Sequence, residues 1–318
     1  MHKVLVANRG EIAIRIFRAA EELGLKTVGI FAKEDELAIH RFKAQEAYQV
    51  GAGLAPIAAY LDMDDIIRIA KASGADAIHP GYGLLSENAE FARKVRAAGL
   101  TFVGPRSELL DIFGDKVAAK EAAHKAGLTT IPGTPEPTRD FNEILEFTQQ
   151  HGFPVMLKAA SGGGGKGMRI VHSEAELREV YQNAVNEAKA SFGDDRMYVE
   201  KYIKSAKHIE VQVLGDQHGH LIHLFERDCS VQRRNQKVIE IAPAIGLPIE
   251  LRQQICDAAV QLMSSLNYEN AGTVEFLVEG SNFYFIEVNP RVQVEHTITE
   301  LITDADIVQS QLRVADGA

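Results

Sequence analysis

Short apolar runs alternate with amphipathic stretches along the first third of the 318-residue chain. Residues 3–7 form an apolar run typical of a buried strand, and apolar residues recur at helical spacing over residues 11–23. Further strands are predicted at 27–31, 47–50, 75–79 and 101–103, and further helices at 62–73 and 87–98. This regular alternation of strands and helices predicts a parallel sheet that is covered by helices on both faces.

The pattern changes after residue 130. Residues 131–137 (IPGTPEP) form a breaker cluster of prolines and glycine that indicates a domain edge. Strands at 155–160, 168–172 and 196–203 and a helix at 174–190 then predict a small β-rich lobe. From residue 208 onward, long alternating strands with one helix at 248–266 predict an antiparallel α+β domain. The predicted division is therefore an α/β domain over 1–130, a lid over 131–203 and an α+β domain over 204–318.

The composition is that of a soluble globular protein, and the charge narrows its partners. A net charge of −10 argues against binding to nucleic acid or to an anionic membrane surface, since both favour a basic footprint. The amino-terminal residues do not resemble a signal peptide, and no apolar stretch approaches the length of a membrane span. Cys229 and Cys256 are expected to be free thiols, so we expect a reducing, cytoplasmic location.

A glycine-rich loop, SGGGGKGM, lies between two predicted strands at residues 161–168. It matches neither a dinucleotide-binding nor a P-loop motif, and the element that follows is a strand instead of a helix. Such a loop is either a flexible surface turn or a hairpin lid whose backbone amides close over phosphates. The flanking Lys158 and Lys166 favour the phosphate interpretation.

Two carboxylates near the end of the chain lie within predicted strands. Glu275 occurs in TVEFLVEG and Glu287 in FYFIEVNP, and Asn289 follows two residues after Glu287. Each carboxylate alone could face solvent, which is the common position of a glutamate. On neighbouring antiparallel strands, however, the three side chains would supply the oxygen ligands that Mg²⁺ prefers when it bridges nucleotide phosphates.

The segment RVQVE follows directly and alternates Arg291, Gln293 and Glu295. In an extended segment the three side chains would point the same way. A guanidinium and a carboxylate beside bound phosphates could hold a small anion and remove its proton, although a surface ion pair would give the same pattern.

Four basic residues are crowded into ERDCSVQRRNQK in an otherwise acidic chain, namely Arg227, Arg233, Arg234 and Lys237. On the pattern alone, a solvated basic turn is the better interpretation. His79 is interpreted as a structural histidine, and His296 could be structural or functional.

The order of these motifs resembles the biotin carboxylase domain of biotin-dependent carboxylases, which are ATP-grasp enzymes. The resemblance covers essentially the whole chain, and within the family the segment NPRVQVEHTITE is closer to the amino-terminal domain of pyruvate carboxylases than to the stand-alone bacterial subunit, where Thr would replace Pro290. The motifs that carry it are VLVANRGEIAIRIFRAA, HPGYGLLSENAEFA, GDK, KAASGGGGKGM, MYVEKYI, HIEVQVLGD, ERDCSVQRR, GTVEF and EVNPRVQVEH.

The resemblance implies a role for each matching residue. The implied ATP contacts are Lys116, Lys158, Gly162, Gly163, Gly164, Gly165, Glu200, Lys201, Ile203, His208, Gln232 and Asn235. Glu275, Glu287 and Asn289 would hold Mg²⁺, or Mn²⁺ in its place. Lys237, Arg291 and Val294 would hold bicarbonate, and Glu295 would be its general base. Tyr82 and Gly83 would contact biotin.

The resemblance also implies the reaction and its partners. ATP and bicarbonate would give carboxyphosphate, and the carboxyl group would pass to biotin on a carrier domain. A carboxyltransferase domain or subunit would then pass it on, with pyruvate to oxaloacetate as the expected conversion, in a homo-oligomer. Two departures stand out. Asn235 replaces the usual His, and the third domain is expected to be incomplete because the family pattern continues beyond Ala318, where an Arg that contacts biotin is expected.

Two alternatives stay open at this point. One is another ATP-grasp ligase, such as a carbamoyl phosphate or purine-pathway enzyme, against which HPGYGLLSEN and QVEH argue. The other is a truncated, non-catalytic ATP-binding module, against which the intact Glu275, Glu287, Arg291 and Glu295 argue.

Overall fold

A computed structural model of the chain describes residues 1–162 and 167–318. The first sheet is parallel, as predicted, with the strand order β3-β2-β1-β4-β5. Leu5 of β1 packs into a core on one face, whereas Val4 and Val6 pack into a core on the other face. The five strands are β1 (Lys3–Val6), β2 (Lys26–Phe31), β3 (Glu46–Gln49), β4 (Ala77–His79) and β5 (Thr101–Phe102).

Helices cover both faces of this sheet, which confirms the prediction. Helix α1 (Gly10–Glu22) lies on one face, and α3 (Met63–Ser73) and α4 (Ala89–Ala97) lie on the other, near the short α2 (Pro56–Tyr60). Single 3₁₀ turns occur at Lys33–Asp35 and Ile39–Phe42. Helices α3 and α4 begin after the predicted residues because Asp62 and Asn88 are N-caps whose side chains accept backbone N–H bonds.

Two helices then lead away from the first sheet. They are α5 (Ser107–Gly114) and α6 (Lys116–Lys125). Both helices contribute to the core of the third sheet, which is formed by residues after 206. The buried residues are Leu109, Phe113, Ala119 and Ala123.

The second sheet is small and antiparallel, with the order β7-β6-β8. Its strands β6 (Val155–Ala159), β7 (Met168–Val171) and β8 (Met197–Lys201) pack against α7 (Phe141–His151) and α8 (Glu174–Phe192) around a core of their own. This arrangement confirms the predicted β-rich lobe. Of the predicted loop, residues 163–166 lie outside the described part of the chain.

The third sheet is antiparallel throughout, with the order β11-β10-β9-β12-β13. Its elements are β9 (Lys207–Gly215), β10 (Leu221–Arg233), β11 (Gln236–Ile241), α9 (Ile249–Ser265), β12 (Asn270–Glu279), β13 (Asn282–Asn289), α10 (His296–Thr303) and α11 (Ile307–Ala315). Helix α9 buries one face, where Ile209, Val211 and Val213 point. The opposite face carries polar side chains, yet Glu210 and Gln212 are fully buried there.

Helix α11 returns to the first sheet. Ile307, Val308 and Leu312 pack in the same core as Ile12 and Ile16 of α1. Across the described ranges, no helix is both long and apolar enough to cross a bilayer.

Candidate active site

The two predicted metal carboxylates lie opposite each other in the third sheet. Glu275 of β12 pairs directly with Glu287 of β13, and a register shift in the pairing follows between Glu275 and Phe276. Asn289 lies at the end of β13 and donates its Nδ2 to Glu275 Oε1 over 2.7 Å. Two carboxylates and a carboxamide are therefore neighbours, and these residue types fit a hard divalent cation, although Asn289 Oδ1 accepts from Arg291 in this structure.

The surroundings of the two carboxylates differ. Burial would raise the pKa of Glu275, but hydrogen bonds and charge from His208 and Lys237 outweigh burial, so the pKa is lowered. Glu287 is exposed on the edge strand β13. Nearby protein atoms still reduce its hydration and Glu275 repels its charge, so its pKa is raised. A bound cation would relieve this repulsion, which is a further reason that the pair fits a metal.

Lys237 is the centre of the charge network beside this pair. Its Nζ lies 2.7 Å from Glu275 Oε1 and 2.9 Å from Glu295 Oε1, and it also contacts Glu210. Burial would lower the pKa of Lys237, but the three carboxylates raise it, so the ammonium stays charged. The pKa of Glu295 is lowered because the charge of Lys237 outweighs the effect of burial. Glu295 is therefore ionised at neutral pH and can accept a proton.

The segment that carries Glu295 is not extended, so the prediction of a simple alternation is wrong. The chain bends at residue 291, residues 294 and 295 form a turn, and Glu295 is the N-cap residue of α10. Arg291 contacts Glu87 and donates to Asn289 Oδ1 over 3.0 Å, whereas Glu295 turns toward Lys237. The turn is preferred because α10 starts here, and it still places the guanidinium and the carboxylate at one site. Val294 is exposed beside them.

Arg227 does not lie in a solvated basic turn, which corrects the interpretation favoured by the pattern. Its side chain is fully buried on β10 and contacts Glu210. Arg233 and Arg234 are exposed, as that interpretation predicted. Glu210 itself was missed, because HIEVQVLGD alternates in a way that normally indicates one solvent-facing side.

A second charged cluster lies in the small sheet. Glu200 of β8 receives Lys120 Nζ at 2.6 Å and also contacts Lys158 of β6. Burial would raise the pKa of Glu200, but the two lysines lower it to about 2. Lys120 was not singled out from the sequence, although it lies one helical turn after Lys116. Lys116 Nζ reaches the carbonyl oxygen of Gly162 over 2.7 Å, beside the glycine loop.

Four of the other predicted nucleotide residues lie in two places. His208 Nε2 lies 2.6 Å from Glu275 Oε2, and Gln232 Nε2 lies 2.9 Å from His208 Nδ1, so both join the carboxylate network. Lys201 directs its ammonium to the carbonyl of His151 at the end of α7, and half-buried Ile203 follows β8. Gly163, Gly164 and Gly165 lie outside the described residues.

Asn235 occupies the tight turn between β10 and β11. Arg234 and Asn235 both have positive φ angles, of 53° and 61°. This is the geometry of a two-residue hairpin turn, in which Asn is among the most favoured residues. The departure from the family pattern at this position therefore also has a backbone explanation.

The predicted biotin residues follow β4 in a loop of the first domain. Asn8 Nδ2 fixes this loop by donating to the carbonyls of Pro80 and Tyr82, over 2.7 and 2.8 Å. A side chain on Gly81 would meet Asn8 Nδ2 at 2.9 Å, so only glycine fits there. The loop lies at the carboxyl ends of β1 and β4, where the strand order reverses, and ligands of open parallel sheets bind at such points. Tyr82 contacts Glu11, and Gly83 is exposed.

Two sequence profiles match the chain. Residues 1–110 match "Biotin carboxylase, N-terminal domain", and residues 115–318 match "Carbamoyl-phosphate synthase L chain, ATP binding domain". Among curated proteins, the pyruvate carboxylase of Bacillus subtilis is 62% identical over 317 residues, which are 100% of this chain. The chain spans 28% of the length of that relative.

Solved structures give the same picture. The biotin carboxylase domain of 2-oxoglutarate carboxylase from Hydrogenobacter thermophilus is 48% identical, with a TM-score of 0.94, over 99% of this chain and 70% of that one. Its structure is a dimer in complex with MgADP, ADP and bicarbonate. Biotin carboxylase from Campylobacter jejuni is 42% identical, with a TM-score of 0.95, over 99% of this chain and 71% of that one.

Proposed function

Because the chain belongs to the biotin carboxylase family, we propose that it uses ATP to activate bicarbonate as carboxyphosphate and passes the carboxyl group to biotin. The observation that carries this proposal is the contact of Lys237 with both Glu275 and Glu295. It joins an oxygen-rich cation site to an ionised carboxylate across a single ammonium. In such an arrangement the ammonium can hold an anion beside the nucleotide while the carboxylate removes the proton of that anion.

Each group then has a role in the first step. Lys237 and Arg291 hold bicarbonate, with Val294 at its edge, and Glu295 accepts its proton. The bicarbonate oxygen attacks the γ-phosphorus of ATP, the bond to the β–γ bridging oxygen breaks, and ADP leaves. Bound Mg²⁺, or Mn²⁺, would neutralise phosphate charge, and Glu275, Glu287 and Asn289 would hold it.

We assign nucleotide binding to the region between the small sheet and the third sheet. Lys116 and Lys158 would pair with phosphates, and Glu200, Lys201, Ile203, His208, Gln232 and Asn235 would line the rest. Lys158 is held by Glu200 in this structure, so a phosphate would compete with that carboxylate for the lysine. The glycine loop, residues 162–165, would close over the phosphates and keep water from carboxyphosphate.

In the second step, carboxyphosphate splits into CO₂ and phosphate, the phosphate takes the proton of the biotin ring nitrogen, and that nitrogen forms its new bond to CO₂. Tyr82 and Gly83 would contact the biotin ring. Their loop lies near the anion site, since Glu87, four residues after Gly83, contacts Arg291.

The wider setting is also proposed. The biotin would be carried by a carrier domain and served by a carboxyltransferase domain or subunit, in a cytoplasmic homo-oligomer that converts pyruvate to oxaloacetate. The similarity to pyruvate carboxylases supports this choice of acceptor. A division into domains at 1–130, 131–203 and 204–318 is supported by the three sheets, with α5 and α6 crossing to the third core.

ADP release by the chain with MgATP tests the proposal. We expect added bicarbonate to start ADP release, free biotin to add little to it, and ammonia to have no effect. Stimulation by ammonia without biotin would favour a carbamoyl phosphate enzyme, which the second sequence profile alone would allow. The match of residues 1–110 to the biotin carboxylase profile favours biotin.

A further inference from the structure

Arg227 is a fully buried cation that the proposed reaction does not use. A guanidinium has five N–H donors in a fixed plane and no acceptor. In this structure all five donors have partners, which come from β9, β12, α10 and the turn before α10. The contacts are Nε to Glu210, Nη1 to Gln212 at 2.8 Å and Thr299 at 2.9 Å, and Nη2 to Thr273 at 3.3 Å and Gln293 at 2.9 Å.

Three of these contacts lead directly into the anion site. The contact with Gln293 fixes its carboxamide, because Arg227 can only donate, so Gln293 Oε1 faces Arg227 and Nε2 faces Glu275 Oε1 at 3.2 Å. Glu210 binds Arg227 through Oε1 and Lys237 through Oε2. Thr299 ties Arg227 to the first turn of α10, the helix that begins directly after Glu295.

We infer that Arg227 is a positioning residue, which orients Lys237 and the turn of residues 293–295 for bicarbonate. The inference rests on the proposed function of this site. Glu210 transmits the orientation to Lys237, and Gln293 and Thr299 transmit it to the turn that carries Glu295. A lysine keeps the charge but has only three donors on a flexible stem, so it cannot hold all five acceptors in one plane.

A merely structural role would make a different prediction. A buried arginine that only joins strands would affect stability, because breaking a buried ion pair leaves an uncompensated charge. A loss of stability alone would not raise the half-saturating concentration of bicarbonate while leaving that of MgATP unchanged. A positioning role would do so, because Lys116 and Lys158, the lysines assigned to the ATP phosphates, do not contact Arg227. The half-saturating concentrations of the two substrates therefore separate positioning from stability.

The experiment compares Arg227→Lys and Thr299→Val with a matched control, Gln212→Met. The control removes an acceptor of the same guanidinium whose other bonds go to the backbone carbonyls of Val213 and Gly272, and not to Lys237 or α10. For each variant, ADP release is measured against bicarbonate and against MgATP, and the midpoint of thermal unfolding is recorded. We expect Arg227→Lys to raise the half-saturating bicarbonate concentration roughly 10-fold or more, and Thr299→Val about 2- to 5-fold, with the MgATP value within about 2-fold.

The control should lower the unfolding midpoint and leave both half-saturating concentrations unchanged. A bicarbonate value for Arg227→Lys within about 2-fold of wild type would overturn the positioning role, as would an equal rise in Gln212→Met. If Arg227→Lys does not fold, an unchanged bicarbonate value in Thr299→Val overturns it. A wild-type chain whose ADP release ignores bicarbonate would instead overturn the proposed function, and the positioning role with it.

Discussion

Glu275 and Glu287 are direct partners across β12 and β13, yet their pKa values are displaced in opposite directions. Glu275 is buried and compensated by Lys237 and His208. Glu287 lies at the solvent border and is repelled by Glu275. The pair is therefore one carboxylate that is already neutralised by the protein and one that is available to a cation.

We predict that Glu275→Gln and Glu287→Gln both raise the Mg²⁺ concentration needed for nucleotide binding, because each removes an anionic ligand. Their effects on stability should differ. Glu275→Gln should lose about 2–3 kcal/mol, since His208 loses its carboxylate partner and Lys237 keeps only Glu210 and Glu295. Glu287→Gln should change the free energy of unfolding by less than about 0.5 kcal/mol or increase it, since it removes a repulsion.

Metal titrations followed by calorimetry and urea unfolding without nucleotide check these two expectations. Unmoved metal titrations in both variants would refute the shared cation site. Equal losses of stability would refute the assigned difference between the two carboxylates.

The pKa of Glu200, lowered to about 2 from a usual 4.5, predicts an acid-dependent contribution to stability. A carboxylate with a lowered folded-state pKa stabilises the fold above its unfolded pKa, and the stabilisation is lost as the pH falls toward the folded pKa. The contribution should be about 3 kcal/mol at pH 7 and roughly 2 kcal/mol at pH 3.5. Urea unfolding of wild type and Glu200→Gln at both pH values should show the difference between them shrinking with acid. A difference that stays constant or grows would contradict this origin of the shift.

Much of the fold could be predicted because its pattern is local. Strands with apolar runs and helices with regular apolar spacing, such as α1 and α9, follow from the order of residues alone. Glu275 and Glu287 were singled out for the same reason, since each lies in a predicted strand with apolar neighbours, and the structure pairs the two directly.

The residues that were missed or misread depend on contacts that the local pattern does not contain. Arg227 and Glu210 are polar positions of alternating strands, and both are buried, with Thr299 of α10 and Gln293 before it contacting Arg227. Glu295 contacts Lys237, but its segment turns because a helix starts there. The polar face of a strand has the same sequence pattern whether it is buried by tertiary contacts or exposed to solvent.

Asn235→His should tighten nucleotide binding about 2- to 5-fold below neutral pH, because an imidazolium adds a charge-assisted bond to an anion. The gain should fade above pH 7.5, where the imidazole is neutral. Asn235→Gly is the matched control, since glycine also adopts the positive φ of this turn but adds no donor. Calorimetry with ATP at pH 6 and pH 8 measures the effect. Equal or weaker binding by the His variant at pH 6 would count against a role for this position near the nucleotide.

Glu295 is proposed as the base that activates bicarbonate, and a comparison of rates tests this role. Bicarbonate-dependent ADP release is measured for wild type, Glu295→Gln and Glu240→Gln, with MgATP affinity measured in parallel. Glu240 is the matched control, a nearby carboxylate that interacts with the charge of Glu295 but forms no ion pair with Lys237. We expect the rate of bicarbonate-dependent ADP release to fall ~10²–10⁴-fold in Glu295→Gln alone, with the affinity for MgATP nearly unchanged. A rate for Glu295→Gln within a few-fold of wild type would contradict it.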